Sequence, residues 1–232
     1  MRSSILIISG LQAALAAVLS LAVVATTFVL FEPTIGQAES VDITITQTIT
    51  GETSFSINPG NVTMDDTIAS ISGGTTNGTS TFEVQTNNAS GYNVTITFDQ
   101  DAAMQLDGGS ADIPDYTVAA AETDFAFSTV GTGGRFGYSV VTPVVADLDL
   151  TFQHDGSNNC GSAGSGGSAT YGACWNEPAT NAEVILDSSA ATVGDGTSGS
   201  VLFRVYVPPN PTPAIPAGNY TATATLTVAN NP

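Results

Sequence analysis

The chain has 232 residues, room for one large or two small domains, and 42% of them are hydrophobic, which supports a buried core and excludes wholesale disorder. Twenty-one acidic residues face only Arg2, Arg135 and Arg204, with no lysine, for a formal net charge of -18. Such a chain repels phosphate backbones and anionic lipid, which excludes nucleic acid as a partner; with only 10% of residues charged, its polar surface is mostly Thr, Ser, Asn and Gly.

Residues 1–31 begin with Arg2 and continue almost entirely apolar, and they are followed by Pro33, Gly36 and Ala38. A basic start, an apolar middle and a small-x-small site are the pattern of a secretory signal peptide cut after Ala38. The apolar part is also long enough to span a bilayer, so an uncleaved N-terminal anchor is the alternative. A prepilin-type leader is a third version, with Gly10 before the apolar run, but Leu15 stands where pilins carry a glutamate. All three versions export the chain, and they place the boundary between residues 1–38 and a single domain over 39–232. Cutting there removes one acid, Glu32, and one base, Arg2, which leaves the charge at -18.

Beyond the leader the chain is written in short alternating runs. Val41, Ile43, Ile45 and Ile49 alternate with polar residues over 41–50, and TSFSI follows before the break at Asn58-Pro59-Gly60. Residues 79–86 and 92–99 flank NNASG, with Phe82, Val84 and Thr86 on one face and Tyr92, Val94, Ile96 and Phe98 on the other run's facing side. Turn residues between two alternating runs predict a β-hairpin. The same period recurs at Phe125/Phe127, at Phe136/Tyr138/Val140, at Leu148/Leu150/Phe152 and over 182–187. Near the C-terminus residues 201–207 and 220–228 flank a connection with five prolines, Pro208, Pro209, Pro211, Pro213 and Pro216, and are expected to pair as a closing hairpin. Tyr220, Ala222, Ala224, Leu226 and Val228 share its dry face. Many short strands punctuated by Gly, Pro and Asn predict an all-β fold, an Ig-like antiparallel β-sandwich of roughly ten or more strands after an N-terminal export helix.

Cys160 and Cys174 bracket a Gly/Ser-rich segment, and in an oxidising compartment such a pair is expected to form a disulfide. Closing a loop this short restricts the unfolded chain by about 3 kcal/mol in the entropy account. His154, the only histidine, is expected to be a solvated loop residue; no triad, nucleophile elbow or zinc set can be assembled around it. The carboxylates at i and i+2 in the runs read as ordinary wet faces, so no enzyme activity and no cofactor are expected. Asp99, Asp101 and Asp155 are candidate ligands for a structural calcium, although neither loop completes the Asp-x-Asp-x-Asn-Gly frame. Tyr171 and Trp175 flank the cysteine loop and are candidates for a glycan-binding platform; the alternative is that Trp175 packs beneath the loop.

FEVQTNNASGYNVTI and IPAGNYTATATLTV resemble exported bacterial surface domains of the WxL and spore-coat or pilus-subunit kind, through residues 86–94 and 216–220. The resemblance implies an envelope or extracellular β-sandwich with an attachment or structural role. The Trp-x-Leu wall motif is absent, since Asn176 and Glu177 follow Trp175. A chain without lysine cannot form Lys–Asn staples or act as a lysine acceptor in sortase polymerisation. Assembly with other copies or with envelope components is therefore expected to be non-covalent. Strand addition is the physical route, with residues 41–50 as donor or, alternatively, as the first strand of their own sandwich. The two functions carried forward are a cell-surface filament or coat subunit and a carbohydrate-binding or adhesin domain. Contact with membrane is expected only through the N-terminal segment.

Overall fold

The computed structural model describes residues 15–20, 22, 44–118, 123–161, 167–192 and 194–232. It divides the chain into two units, Met1–Thr48 and Ile49–Pro232. In the first, residues 15–20 are helical, and the Ala38 cleavage position, Val41 and Ile43 lie outside the described residues. Among the described residues no helix is long and apolar enough to cross a membrane.

The second unit is mostly β. Its strands are β1 (Thr53–Ile57), β2 (Gly74–Thr86), β3 (Tyr92–Phe98), β4 (Met104–Leu106), β5 (Asp112–Ile113), β6 (Arg135–Val141), β7 (Glu183–Ser188), β8 (Thr197–Val207), β9 (Tyr220–Thr221) and β10 (Ala224–Asn230). They form three antiparallel sheets, ordered β1-β2-β8-β6, β10-β3-β7 and β5-β4-β9. The first two face each other in a sandwich-like arrangement. Phe82, Val84, Val201 and Phe203 on one side and Tyr92, Val94, Ile96 and Phe98 on the other share one core. Phe98 meets the rings of Tyr138 at 5.5 Å and Phe136 at 6.1 Å between centroids. Alternation explains this placement, because every second residue of β2 and of β3 points inward and is buried.

The runs at 79–86 and 92–99 are strands, as expected, but they do not pair as a hairpin. β2 pairs β8, from Gly74↔Val207 to Val84↔Thr197, while β3 pairs β10, from Phe98↔Ala224 to Tyr92↔Asn230. The closing pair is split in the same way, with β8 in one layer and β10 in the other. Both connections are therefore crossings between layers. The physical reason is that a period of two fixes which face is dry but not which strand lies alongside. Two dry faces can share one side of a hairpin or look at each other across a core, and here they do the second.

The crossing at residues 87–91 is locked locally. Asn88 Nδ2 donates to the Gly91 carbonyl at 2.8 Å and to the Asn231 carbonyl at 2.9 Å. Gly91 has φ 83°, and a Cβ there would stand 1.8 Å from the Ser188 carbonyl oxygen.

Three other runs also depart from expectation. Residues 148–152 contain no strand: Val145–Asp147 and Leu150–Phe152 are single 3-10 turns, the second capped by Asp149, which accepts from the Thr151 N–H at 2.9 Å. Phe125 and Phe127 lie in no strand and follow an isolated bridge, Asp124↔Trp175. Residues 44–50 belong to no strand, and Ile45 and Ile49 are 90% and 83% exposed.

Gly91→Ala combines an αL penalty of about 1–2 kcal/mol with a backbone collision, so it is expected to destabilise the domain by more than ~3 kcal/mol. Gly108→Ala serves as control, because Gly108 also has positive φ but open space around it, and about 1 kcal/mol is expected there. Urea denaturation of both variants measures the difference; equal losses would contradict the locked crossing.

Candidate assembly groove

The edges of the two main sheets are treated differently. The outer edge of β6 is covered: the Tyr116 N–H donates to the Phe136 carbonyl at 2.6 Å, and Tyr138 and Asn176 exchange both backbone bonds. At β7 the Asp149 N–H donates to the Ile185 carbonyl. β10 has no such cover. The Asp99 N–H donates to the Thr223 carbonyl and the Asn231 N–H to the Gly91 carbonyl, so odd-numbered residues along β10 turn their backbone groups toward β3. The N–H and C=O groups of Ala224, Leu226 and Val228 then face away from β3, and among the described residues nothing in the backbone pairs with them. An edge of this kind is a template for a further strand.

Beside that edge lies a groove of about 510 Å³ that opens into the core. One lip is β10 with the residues before it, Ala222, Ala224 and Leu226; the other is the segment after β1, with Val62 and Met64; Phe98, Phe136 and Phe203 form the floor. The second lip runs beside β2 without forming a regular strand. The Ser80 hydroxyl donates to the Gly60 carbonyl at 2.9 Å, and the Asp65 N–H donates to the Asn77 carbonyl at 2.7 Å. A Cβ on Gly78 would come 2.4 Å from Val62 Cγ1, so glycine is what lets this segment lie against the sheet. The two lips meet at one end, where the Thr53 hydroxyl bonds Asn230 Oδ1. Ala224, Leu226, Val228, Val62 and Met64 pack on the core while only partly buried.

Tyr171 and Trp175, the two candidates for a platform at the cysteine loop, differ in exposure. Trp175 is fully buried, with its Nε1–H donating to the Gly172 carbonyl at 2.8 Å and its ring 5.1 Å from that of Phe127. The Arg204 guanidinium covers its face at 4.3 Å, a cation–π contact, while Arg204 Nε donates to Asn77 Oδ1. Tyr171 is exposed, and its hydroxyl is 2.8 Å from that of Thr79. Trp175 belongs to a second small core, with Tyr116, Phe127 and Leu202, on the outer side of the four-stranded sheet. Sequence reading could not choose between platform and plug, since a single aromatic carries no periodicity.

Cys160 and Cys174 form the disulfide, with Cα atoms 5.7 Å apart. His154 is buried beside it, not solvated: its Nδ1 accepts from the Gly156 N–H at 3.1 Å, which leaves the proton on Nε2, 2.8 Å from the Thr170 hydroxyl. Both ring nitrogens serve the loop's own structure. The Asp155 carboxylate likewise turns to its own loop, accepting from the Ser157 N–H and from Asn159, and these bonds hold it below the usual carboxylate range. It does not join Asp99 or Asp101: among the described residues no three His, Cys, Asp or Glu side chains are placed to hold a metal ion.

Asp115 is a perturbed carboxyl. Burial pushes it from the ordinary 3.8 up to about 6, against the Ala103 N–H it accepts, with Asp101, Asp112 and Glu177 adding to the rise. Its bond to the Ala103 N–H ties the start of β4 to the segment before β6. No family model, curated protein or solved structure matches the chain.

Two measurements follow from these placements. Trp175 is the only tryptophan, so native emission is expected to be blue-shifted and poorly quenched by acrylamide; water-like emission would contradict its burial. Asp115 binds its proton more tightly folded than unfolded, so its contribution to stability is present below the unfolded value and is lost as pH rises from about 4 to about 6. A fully buried group with that shift would account for about 3 kcal/mol, and solvent screening of a half-exposed one leaves on the order of 1 kcal/mol. Asp115→Asn keeps an acceptor for Ala103 and is expected to raise stability at pH 7 by about that amount while leaving pH 4 unchanged. Urea titrations at both pH values that show no difference would refute it.

Proposed function

We propose that the protein is a non-enzymatic, exported structural subunit of a cell surface or extracellular layer or filament, assembling non-covalently by strand addition. On this reading the second unit is an Ig-like sandwich whose working surface is the β10 edge and the groove beside it. The observation that carries the proposal is that outward backbone groups and half-covered apolar side chains coincide at one place. An edge strand supplies directional hydrogen bonds, and the groove supplies apolar burial at alternate positions of an incoming strand. The outer edges of β6 and β7 are covered, so neither competes with β10 for an added strand.

Composition supports the same reading. The leader pattern directs the chain outward, and the absence of lysine removes the lysine-dependent covalent routes to a polymer. The partners are then other copies of the chain or envelope components. The carbohydrate-binding alternative loses its principal support with the burial of Trp175, which leaves Tyr171 as a lone exposed ring at that loop.

Light scattering with size-exclusion chromatography, together with negative-stain electron microscopy of protein recovered from the cell exterior, tests the proposal. Concentration-dependent oligomers or filaments that survive reducing agent but dissociate in denaturant are expected. A chain that stays monomeric and featureless at every concentration while binding a glycan array contradicts it.

A further inference from the structure

Resting on the reading of the protein as a strand-adding subunit, we infer that the strand received by the β10 groove is residues 44–50 of a second copy of this chain. The segment reads TITQTIT. Ile45 and Ile49 lie on one face, with Gln47 between them, and threonines occupy the other. Both isoleucines are almost fully exposed, and the segment belongs to no strand. Upstream, Val41 and Ile43 continue the same alternation in the sequence.

Length agrees. β10 is 7 residues long, and the seven residues of the donor would extend to about 23 Å at strand rise, enough to run the open part of the edge from Ala224 to Val228. Faces agree as well. With its backbone on the outward groups of Ala224, Leu226 and Val228, a donor would present alternate side chains between Leu226 and Val62 or Met64, over Phe98, Phe136 and Phe203. The threonine face would remain in water, continuing the wet face of β10.

Charge chooses between donors. Two copies at -18 repel each other, and residues 43–51 carry no charge at all, lying between Asp42 and Glu52. None of the residues that line the groove is charged. Insertion therefore buries no carboxylate, and the remaining repulsion lies outside the contact, where salt screens it. Assembly is expected to strengthen as salt is raised.

The donor is assigned to another copy because Asn87 fixes the backbone where the segment joins β1. Asn87 Oδ1 accepts from the Glu52 N–H at 2.6 Å, Asn87 Nδ2 donates to the Thr50 carbonyl at 3.2 Å, and the Asn87 N–H donates to the Glu52 carbonyl at 3.2 Å. These bonds clamp the backbone on both sides of Gly51. A chain filling its own groove would have to reverse at that glycine, next to the start of β1, and give them up.

The test uses the full exported chain. Ile45→Asp/Ile49→Asp is expected to raise the assembly dissociation constant on the order of 100-fold or more, while Thr46→Asn/Thr48→Asn changes it by less than about threefold. Because all four side chains are exposed, thermal unfolding of the second unit should be the same in both variants, which separates lost assembly from lost folding. Ile45→Cys mixed with Ala222→Cys, Ala224→Cys or Val62→Cys is expected to give disulfide-linked heterodimers under mild oxidation, at some of these positions and not with Thr225→Cys on the outer face. Assembly that persists undiminished in Ile45→Asp/Ile49→Asp, with no cross-link, overturns this donor but leaves the strand-adding subunit standing. Cross-linking within single chains of the double variant Ile45→Cys/Ala224→Cys, with a monomeric parent, overturns both.

Discussion

The ladder between β2 and β8 is the constraint on which the rest of the domain depends. It runs unbroken from Gly74↔Val207 to Val84↔Thr197 and joins two segments from opposite ends of the domain. Each partner then leaves its sheet through a crossing loop, so fixing β2 beside β8 brings β3 and β10 together in the facing layer. Their ladder, from Tyr92↔Asn230 to Phe98↔Ala224, is the counterpart of the first. Loop closure between such distant strands is costly before it is rewarded, which makes the local locks at residues 87–91 important. Asn88 ties the first crossing to the end of β10, since it holds Gly91 after β2 and Asn231 after β10.

The same pairing creates the groove. Four strands in one layer face three in the other, and the groove lies between β10 and the segment after β1 that carries Val62 and Met64. Short irregular segments cover two of the edges, with Tyr116 and Asn176 on β6 and Asp149 on β7. Apolar side chains at β10 are left half-covered although the domain protects the edges of β6 and β7. In a chain with so few charges, no lysine or arginine guards this edge, and Thr225, Thr227, Ala229 and Asn230 face the water along it.

Much of the fold was legible in the sequence as strands and their dry faces. The alternation at Phe82/Val84, Tyr92/Val94/Ile96/Phe98, Phe136/Tyr138/Val140 and Leu226/Val228 marks side chains that do face the core. The cysteine pair was legible too. Partnership was not, because alternation is a property of one strand, whereas pairing depends on contacts distant in sequence. Leu148 to Phe152 shows a second limit: three apolar residues at a spacing of two fit a strand, but Asp149 caps a 3-10 turn and puts Leu148 and Phe152 in the core by another route. His154 and Trp175 show a third, since an isolated ring carries no pattern that tells inside from outside. Of the candidate site, the alternating face at Ile45 and Ile49 that is proposed as the donor could be read directly. The acceptor could not, as it is built from Val62 and Met64 on one side and Ala224 and Leu226 from the far end of the chain on the other.

The central claim is that the outer edge of β10 is unpaired within one chain and paired between chains. Residue-resolved amide hydrogen exchange, on the dilute protein and again after assembly, addresses it directly. In the dilute state Thr225, Thr227 and Ala229 are expected to be protected by β3, while Ala224, Leu226 and Val228 exchange freely; on assembly the second set becomes protected. Protection of both sets in the dilute monomer, or free exchange of the second set in the assembled form, would contradict the account.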